Sequence, residues 1–446
     1  MIAVPMTSGA PWKHILVFSF PIIAGALLQQ LYQTADSIIV GNLVGENALA
    51  AVGTTNTLTF FSLSAALGFS AGNGVLVAQH FGAGDESKMR KTASTGIMLM
   101  AFMGLLLSLF WIFAARIACV YWLDTPDAIL SDTVLYFRVY SAGIFLQFSY
   151  NILAAILRAV GDSAATLYFL IVASVLNVLL DLLFVGVLHW GVAGAAVATN
   201  IAQAAAMTAA WGYMNIKYSI FRFRLRDLSW SSREAWATIT VGLPITIQLS
   251  VVAMGLSFIQ RAVNSFGEVM TASFAAGQRI EMYLHLPCNS LNTALATYTG
   301  QNIGAGKFDR VRQGARQGTV LSLLLTAILA VPVWFLSGEI VAFFGLSELA
   351  AAYCTAHLQA AAFTNIILAC YVPLFGVFQG TRHAVIPAAV ALLALSLRVF
   401  ITYSLKDGEV FGHTIIWWNS LFGYSTGCTI SWLYYLTGKW LPAERK

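Results

Sequence analysis

At 446 residues, with 59% of them hydrophobic and only 10% charged, the chain has too little charge to clothe a soluble protein, which needs about a quarter. Apolar runs of about 20 residues, the length that crosses a bilayer as a helix, recur from end to end and exclude a soluble enzyme on a single anchor. The net charge of +5 calls for no nucleic-acid partner, because its basic residues sit in the connections between apolar runs.

The first run, 13–42, is too long for a signal peptide and is interrupted by polar Gln29, Gln30 and Asp36, so it reads as a retained spanning helix. Tyr32 and Gln29 stand four and seven residues before Asp36, on one helical face. Runs follow at 51–80, 92–118, 132–158, 164–188 and 192–217. The fifth carries Asn177 and Asp181 one turn apart. A connection at 218–234 holds Arg222, Arg224, Arg226 and Arg233 and reads as a cytoplasmic linker between two halves. The second set lies at 235–264, 270–301, 314–337, 350–380, 384–405 and 413–439. Its second member bears Gln278, Glu281, His285, Asn289 and Asn292 at spacings of three and four, a single polar face. The expectation is an all-α polytopic membrane protein of twelve transmembrane helices in two pseudo-symmetric six-helix bundles, 1–217 and 235–446.

Charge assigns the sides. With the amino terminus cytoplasmic, the inside connections hold eighteen of the 24 Lys and Arg, from Lys13 and Lys88 to Lys439, Arg445 and Lys446, and the outside ones only Arg116 and Lys406. One missed helix would scramble that alternation. It places the chain in a cell (inner) membrane with both termini inside.

The halves repeat. Gln79-His80-Phe81-Gly82-Ala83-Gly84 returns as Gln301-Asn302-Ile303-Gly304-Ala305-Gly306, and Lys88, Arg90 and Gly96 meet Arg310, Arg312 and Gly318 at the same offset. Phe20-Pro21-Ile22 answers Leu243-Pro244-Ile245. Parallel repeats of this kind are a transporter architecture. Gly306-Lys307 is no phosphate loop, since Gln301 and Phe308 stand where that loop needs Gly and Ser or Thr. No ATP site is expected, so an ion gradient must supply the energy. The five cysteines are scattered without a Cys-x-x-Cys pair and read as small apolar side chains rather than a metal or redox site.

Ionisable groups inside a bilayer are costly and therefore functional candidates. Of the 19 acids, only Asp36, Asp181 and Glu281 lie well inside apolar runs. Asp36 and Asp181 either share a cavity where proton and cation alternate or are capped by neighbours and fix packing. Glu281 with His285 either lines a second wet cavity, or offers a second proton site through His285, or belongs to a structural network in which Glu281 pairs with Arg279, Arg398 or Arg261. His285 by itself reads more readily as a satisfied interior histidine. No catalytic constellation is present, so no enzyme activity is expected.

The ordered set of Pro21 to Asp36, Gly41, Ala50-Ala51-Val52-Gly53, the two Gln-x-x-Gly-Ala-Gly turns and Arg158-Ala-Val-Gly-Asp162 resembles a MATE (multidrug and toxic compound extrusion) transporter. Leu176-Asn177-Val-Leu-Leu-Asp181, Gly194 to Thr199 and Val241 to Pro244 extend the resemblance over essentially the full length. It implies a V-shaped pair of bundles exporting organic cations and amphipathic compounds in exchange for H⁺ or Na⁺, with membrane lipids around it and a monomer sufficient. It also implies an amino-lobe cavity built from Asp36, Asn177, Asp181, Tyr32 and Thr199, which Gln29 fits. Na⁺ could be held at Asp36, Asn177, Asp181 and Thr199. The run 245–259 contains no acid, unlike a branch with a Glu in its seventh helix, which favours coupling through the amino lobe. A lipid-linked oligosaccharide flippase is the related alternative; a membrane receptor or enzyme is the alternative from another class.

Overall fold

The structure, a computed structural model, describes residues 5–441; Arg445 and Lys446, counted above toward the cytoplasmic side, lie outside that range. The described residues contain no strand, and their helices form twelve long rods. In chain order these are α1 (Pro11–Leu43), α2 (Glu46–Gly82, stepping at Thr55), α3 (Glu86–Trp122) and α4, the pair Asp127–Ala142 and Ile144–Ala159 bent by 44°. Next come α5 (Ser163–Val187), α6 (Gly191–Lys217), α7 (Ser232–Asn264) and α8 (Glu268–Gly304). The last four are α9 (Phe308–Phe335), α10 (Glu348–Gly380), α11 (Val385–Leu405) and α12 (Ile415–Leu436). Nine of them are long and apolar enough to cross a membrane by length and composition alone, ten with bent α4 taken as one span. Of the other two, α8 carries the Gln278–Asn292 polar face, and α12 is rich in Ser, Thr, Gly and amphipathic Trp and Tyr.

Side chains are sorted inside out. Val17, Phe20, Phe113, Ile216, Ile328 and Phe400 are exposed, while Asn73, Thr92, Thr326 and Asn365 are fully buried. In lipid, apolar burial drives little, and close packing with interhelical hydrogen bonds holds helices together.

Packing divides the chain into two compact units at places other than the linear halves suggest. The amino unit is Pro21–Thr246; the carboxy unit joins Met6–Phe20 to the chain from Ile247 onward. Thus α1 changes unit at Pro21 and α7 two residues beyond Pro244, where a proline removes one helix hydrogen bond. The expected boundaries at 217 and 235 follow the charged linker. The packing boundaries follow the two prolines instead.

The sequence repeat is a structural one. Ala83 N donates to Gln79 O and Gly84 N to Phe81 O; Ala305 N donates to Gln301 O and Gly306 N to Ile303 O. Gly84 and Gly306 take φ of +69° and +70°, a left-handed conformation that glycine adopts without a Cβ penalty. Each turn is followed by an arginine gripping carbonyls. In the amino unit Arg90 donates to Ile220 O (2.6 Å) and Arg222 O (3.1 Å). In the carboxy unit Arg310 donates to Met6 O, Ser8 O and Gly9 O, while Met6 N donates to Gln301 Oε1 at 2.8 Å. The segments so held lead into α7 and α1 respectively.

Close backbone approach ties α7 to α2 within the amino unit. A Cβ on Gly72 would lie 2.6 Å from Gly242 N and 2.7 Å from Gly242 Cα, and one on Gly68 would lie 2.5 Å from Thr246 N. Beside that contact, Asn73 Nδ2 donates to Thr238 Oγ1 (3.0 Å) and Thr92 O (3.1 Å), and Thr92 Oγ1 donates to Glu234 Oε2 (2.8 Å).

Asp162, in the turn before α5, staples that turn to the end of α6. Its Oδ2 accepts from Lys217 Nζ (2.7 Å), Tyr218 OH (2.7 Å) and Tyr213 OH (2.9 Å), and its Oδ1 caps α5 through Ala165 N (3.3 Å). Burial by itself would raise the Asp162 pKa, but the hydrogen bonds from Lys217, Tyr218 and Tyr213 outweigh it and hold the carboxyl below its usual range. Its stabilisation is therefore fully present above the unfolded value of about 3.9 and is lost as pH falls through the lower folded value. Asp162→Asn should cost about 1.5–3 kcal/mol at neutral pH. Thermal melts of the detergent-solubilised protein should show that gap narrowing as acid protonates wild-type Asp162.

Candidate functional site: a facing carboxylate pair in the amino unit

The turn-by-turn geometry of α1 and α5 brings Asp36 and Asp181 together. Their carboxyl groups lie within hydrogen-bonding reach of one another. Asp181 is fully buried and neither of its oxygens meets a donor; Asp36 is half-buried, with Oδ1 likewise unpartnered. Two bare carboxylates so close repel strongly in a poorly solvated setting. A proton between them, or a cation on both, removes that repulsion.

Oxygen atoms continue around the pair. Asn177, one turn before Asp181, is 2% exposed, and its Oδ1 has no partner. Its Nδ2 donates to Thr199 Oγ1 of α6 at 3.5 Å, and that hydroxyl donates to Ala195 O at 3.1 Å. Tyr32 sits within reach of Gln29 on its own helix, and also of Gln33. Directly after Asp181 the helix widens into π turns over Leu182–Val187, a local expansion that often accompanies functional positions. Gln29, Tyr32, Asp36, Asn177, Asp181 and Thr199 thus all belong to the amino unit.

The sequence reading passed over the contribution of α4. Tyr136 and Tyr140 stack at 6.1 Å, Gln147 Nε2 donates to Tyr140 OH at 2.7 Å, and Tyr136 lies close enough to feel both Asp36 and Asp181. Their i, i+4, i+11 spacing was a usable signal, hidden because tyrosines abound near membrane surfaces.

Glu281 and His285 do not join this pair; they lie in the carboxy unit. Nor does Glu281 pair with Arg279, Arg398 or Arg261. Its partners are histidines: His357 Nε2 at 3.1 Å and His285 Nε2 at 3.6 Å. His357, 76 residues away on α10, was not anticipated.

Comparison with known proteins agrees with this architecture. The MatE family model matches twice, over residues 21–183 and 237–404, once for each copy of the repeat. The chain is 32% identical over 312 residues to the probable multidrug resistance protein YpnP of Bacillus subtilis, covering 70% of this chain and 69% of that protein. It is 22% identical over 438 residues to the probable multidrug resistance protein NorM of Thermotoga maritima, covering 96% and 93%. An outward-facing multidrug resistance MATE family transporter of the MOP superfamily superposes with a TM-score of 0.91 at 22% identity, over 97% of each chain. Two matched copies, twelve helical rods and full-length fold similarity have one reading: the chain belongs to the MatE family and is a multi-pass membrane transporter, not an enzyme.

Proposed function

We propose that the protein is a secondary active multidrug efflux antiporter that exports organic cations and amphipathic compounds in exchange for protons. The observation that carries this reading is the facing pair of buried Asp181, whose oxygens meet no donor, and half-buried Asp36, a pair that binds either a proton or a cation but does not tolerate standing bare. A proton entering from outside bridges the pair and displaces a cationic substrate held against it. Loss of the substrate and neutralisation of Asp36 then free α1 to rearrange about Pro21. Asn177 and Thr199 hold Asp181 in register, and Tyr32 and Gln29 extend the polar stripe along α1 toward the substrate. Proton and drug compete for overlapping groups, and that competition is the coupling. The names of its relatives, multidrug resistance proteins, support the substrate range. The basic connections support cytoplasmic termini in a bacterial cell membrane, and one chain suffices.

The test is flux of a fluorescent organic cation in proteoliposomes. An imposed pH gradient, acid on the side opposite the substrate, should drive transport, and an imposed Na⁺ gradient at equal pH should not. Transport driven by Na⁺ alone would reassign the pair, with Asn177 and Thr199, as a Na⁺ site. No gradient-dependent flux in either case would overturn the antiporter reading.

A further inference from the structure

The carboxy unit holds a cavity of about 110 Å³ that the Asp36–Asp181 pair does not reach into by sequence or by unit. Charged and titratable groups face it from four helices. α8 gives Glu281 and His285, α10 gives His357, α11 gives Arg398 and α12 gives Tyr424; α7 contributes only Leu256.

Two imidazoles share the Glu281 carboxylate, but unequally. His357 is 3% exposed and donates from Nε2 to Glu281 Oε2 across 3.1 Å. Its ring is stacked between Phe274, at 5.0 Å and 15°, and Trp417, at 5.8 Å and 18°. Its Nδ1 has no partner and faces Gly277, where a Cβ would come within 2.3 Å. The geometry fits a fixed ring that serves Glu281 from one nitrogen only.

His285 differs on each count. Its side chain is 30% exposed, although its Nε2 is buried. Its Nε2 lies 3.6 Å from Glu281 Oε1, just beyond hydrogen-bond range, and has no other partner. A proton arriving there gains the carboxylate oxygen that His357 leaves free, and a small ring movement closes the gap. Arg398 opposes the added charge but does not take the carboxylate. Its Nε donates to Asn419 Oδ1 at 2.8 Å, and its guanidinium lies 5.1 Å over the Tyr424 ring. Without the proton, Glu281 and Arg398 balance. With it, the cavity carries one net positive charge and disfavours an organic cation nearby.

We propose that His285 is a second proton-binding site, with Glu281 as its counter-charge and His357 positioning Glu281. Histidine is the side chain suited to changing charge near neutrality. That this proton is also transported rests on the antiporter reading; that it binds does not.

The binding claim is tested by ring ¹⁵N NMR of histidine-labelled protein in detergent, the His285 signal being identified by its absence in His285→Gln. In wild type and in Asp36→Asn that signal should move with falling pH from a neutral to a doubly protonated ring. In Glu281→Gln the transition should shift to lower pH, and in His357→Gln it should shift partway. A His285 ring that stays neutral down to pH 5 in folded wild-type protein would overturn the proposal, as would a transition unmoved by Glu281→Gln. The transport claim is read from the reversal potential in proteoliposomes. His285→Gln should exchange one proton fewer per substrate while keeping gradient-driven flux. An unchanged proton count would confine His285 to binding, whereas loss of all coupling in Asp36→Asn speaks only to the amino-unit pair.

Discussion

Asp181→Asn should make the protein more stable and stop it from working. Asp181 is fully buried, no donor reaches either oxygen, and the group facing it is another carboxyl. A buried charge in that position costs several kcal/mol of effective desolvation, only partly relieved when a proton is present. Asn removes the charge and brings an N–H that can donate to Asp36. A stability gain of about 1–2 kcal/mol is expected, in the range typical of relieving a strained functional position. It should raise the melting midpoint by several degrees, at about 2–4 °C per kcal/mol for a unit of roughly 200 residues. Efflux driven by a pH gradient should fall about 10–100-fold, the size of a typical coupling free energy. Asp36→Asn should lose as much transport but gain less stability, because Asp36 is only half-buried and more of its charge is already solvated. Melting curves and flux measured on the same preparations separate the two effects. Transport that survives in both variants would remove the pair from the mechanism; a fall in stability on Asp181→Asn would mean that its charge is structurally satisfied.

Gly72→Leu is expected to have the opposite character, failing at the level of folding. The atoms a Cβ would strike are Gly242 N at 2.6 Å, Gly242 Cα at 2.7 Å and Thr238 O at 2.9 Å, all backbone. Backbone cannot rotate aside as a side chain can, so the helices themselves must separate. Moving α7 off α2 also stretches the bonds from Asn73 to Thr238 and from Thr92 to Glu234. Overpacking a core costs about 1–3 kcal/mol where side chains can adjust. Here the cost should exceed that range, and little folded protein should be recovered. Gly72→Ala, the smallest possible intrusion, should fold with a melting midpoint lowered by several degrees. Gly84→Ala is a useful contrast. No atom would lie within 4 Å of its Cβ, but its φ of +69° strains any side chain, so about 1 kcal/mol is expected without loss of packing. Wild-type melting behaviour of Gly72→Leu would mean that α2 and α7 do not meet at this contact.

The difference between these variants traces what was readable before any fold was known. Asp36 and Asp181 stood out because a carboxylate inside an apolar run is costly wherever the chain goes, so the sequence alone marks it. Tyr136 and Tyr140 did not stand out, because an aromatic residue in a membrane helix has an ordinary alternative use. Gly72 and Gly242 were two among 36 glycines until their backbones were seen to touch.

From sequence alone, twelve helices, a duplicated scaffold, its matching glycine turns and two carboxylates inside apolar runs were legible. Each rests on local periodicity, local charge or the fixed cost of polar groups in lipid. Tertiary structure decided which groups meet. It gave Glu281 two histidines rather than an arginine, drew the unit boundaries at Pro21 and just after Thr246, and set Arg310 on the Met6 carbonyl 304 residues away. Such pairings depend on how helices with similar apolar surfaces choose neighbours. In lipid that choice is made by close contacts between small residues and by single hydrogen bonds, which leave no periodic trace in the chain.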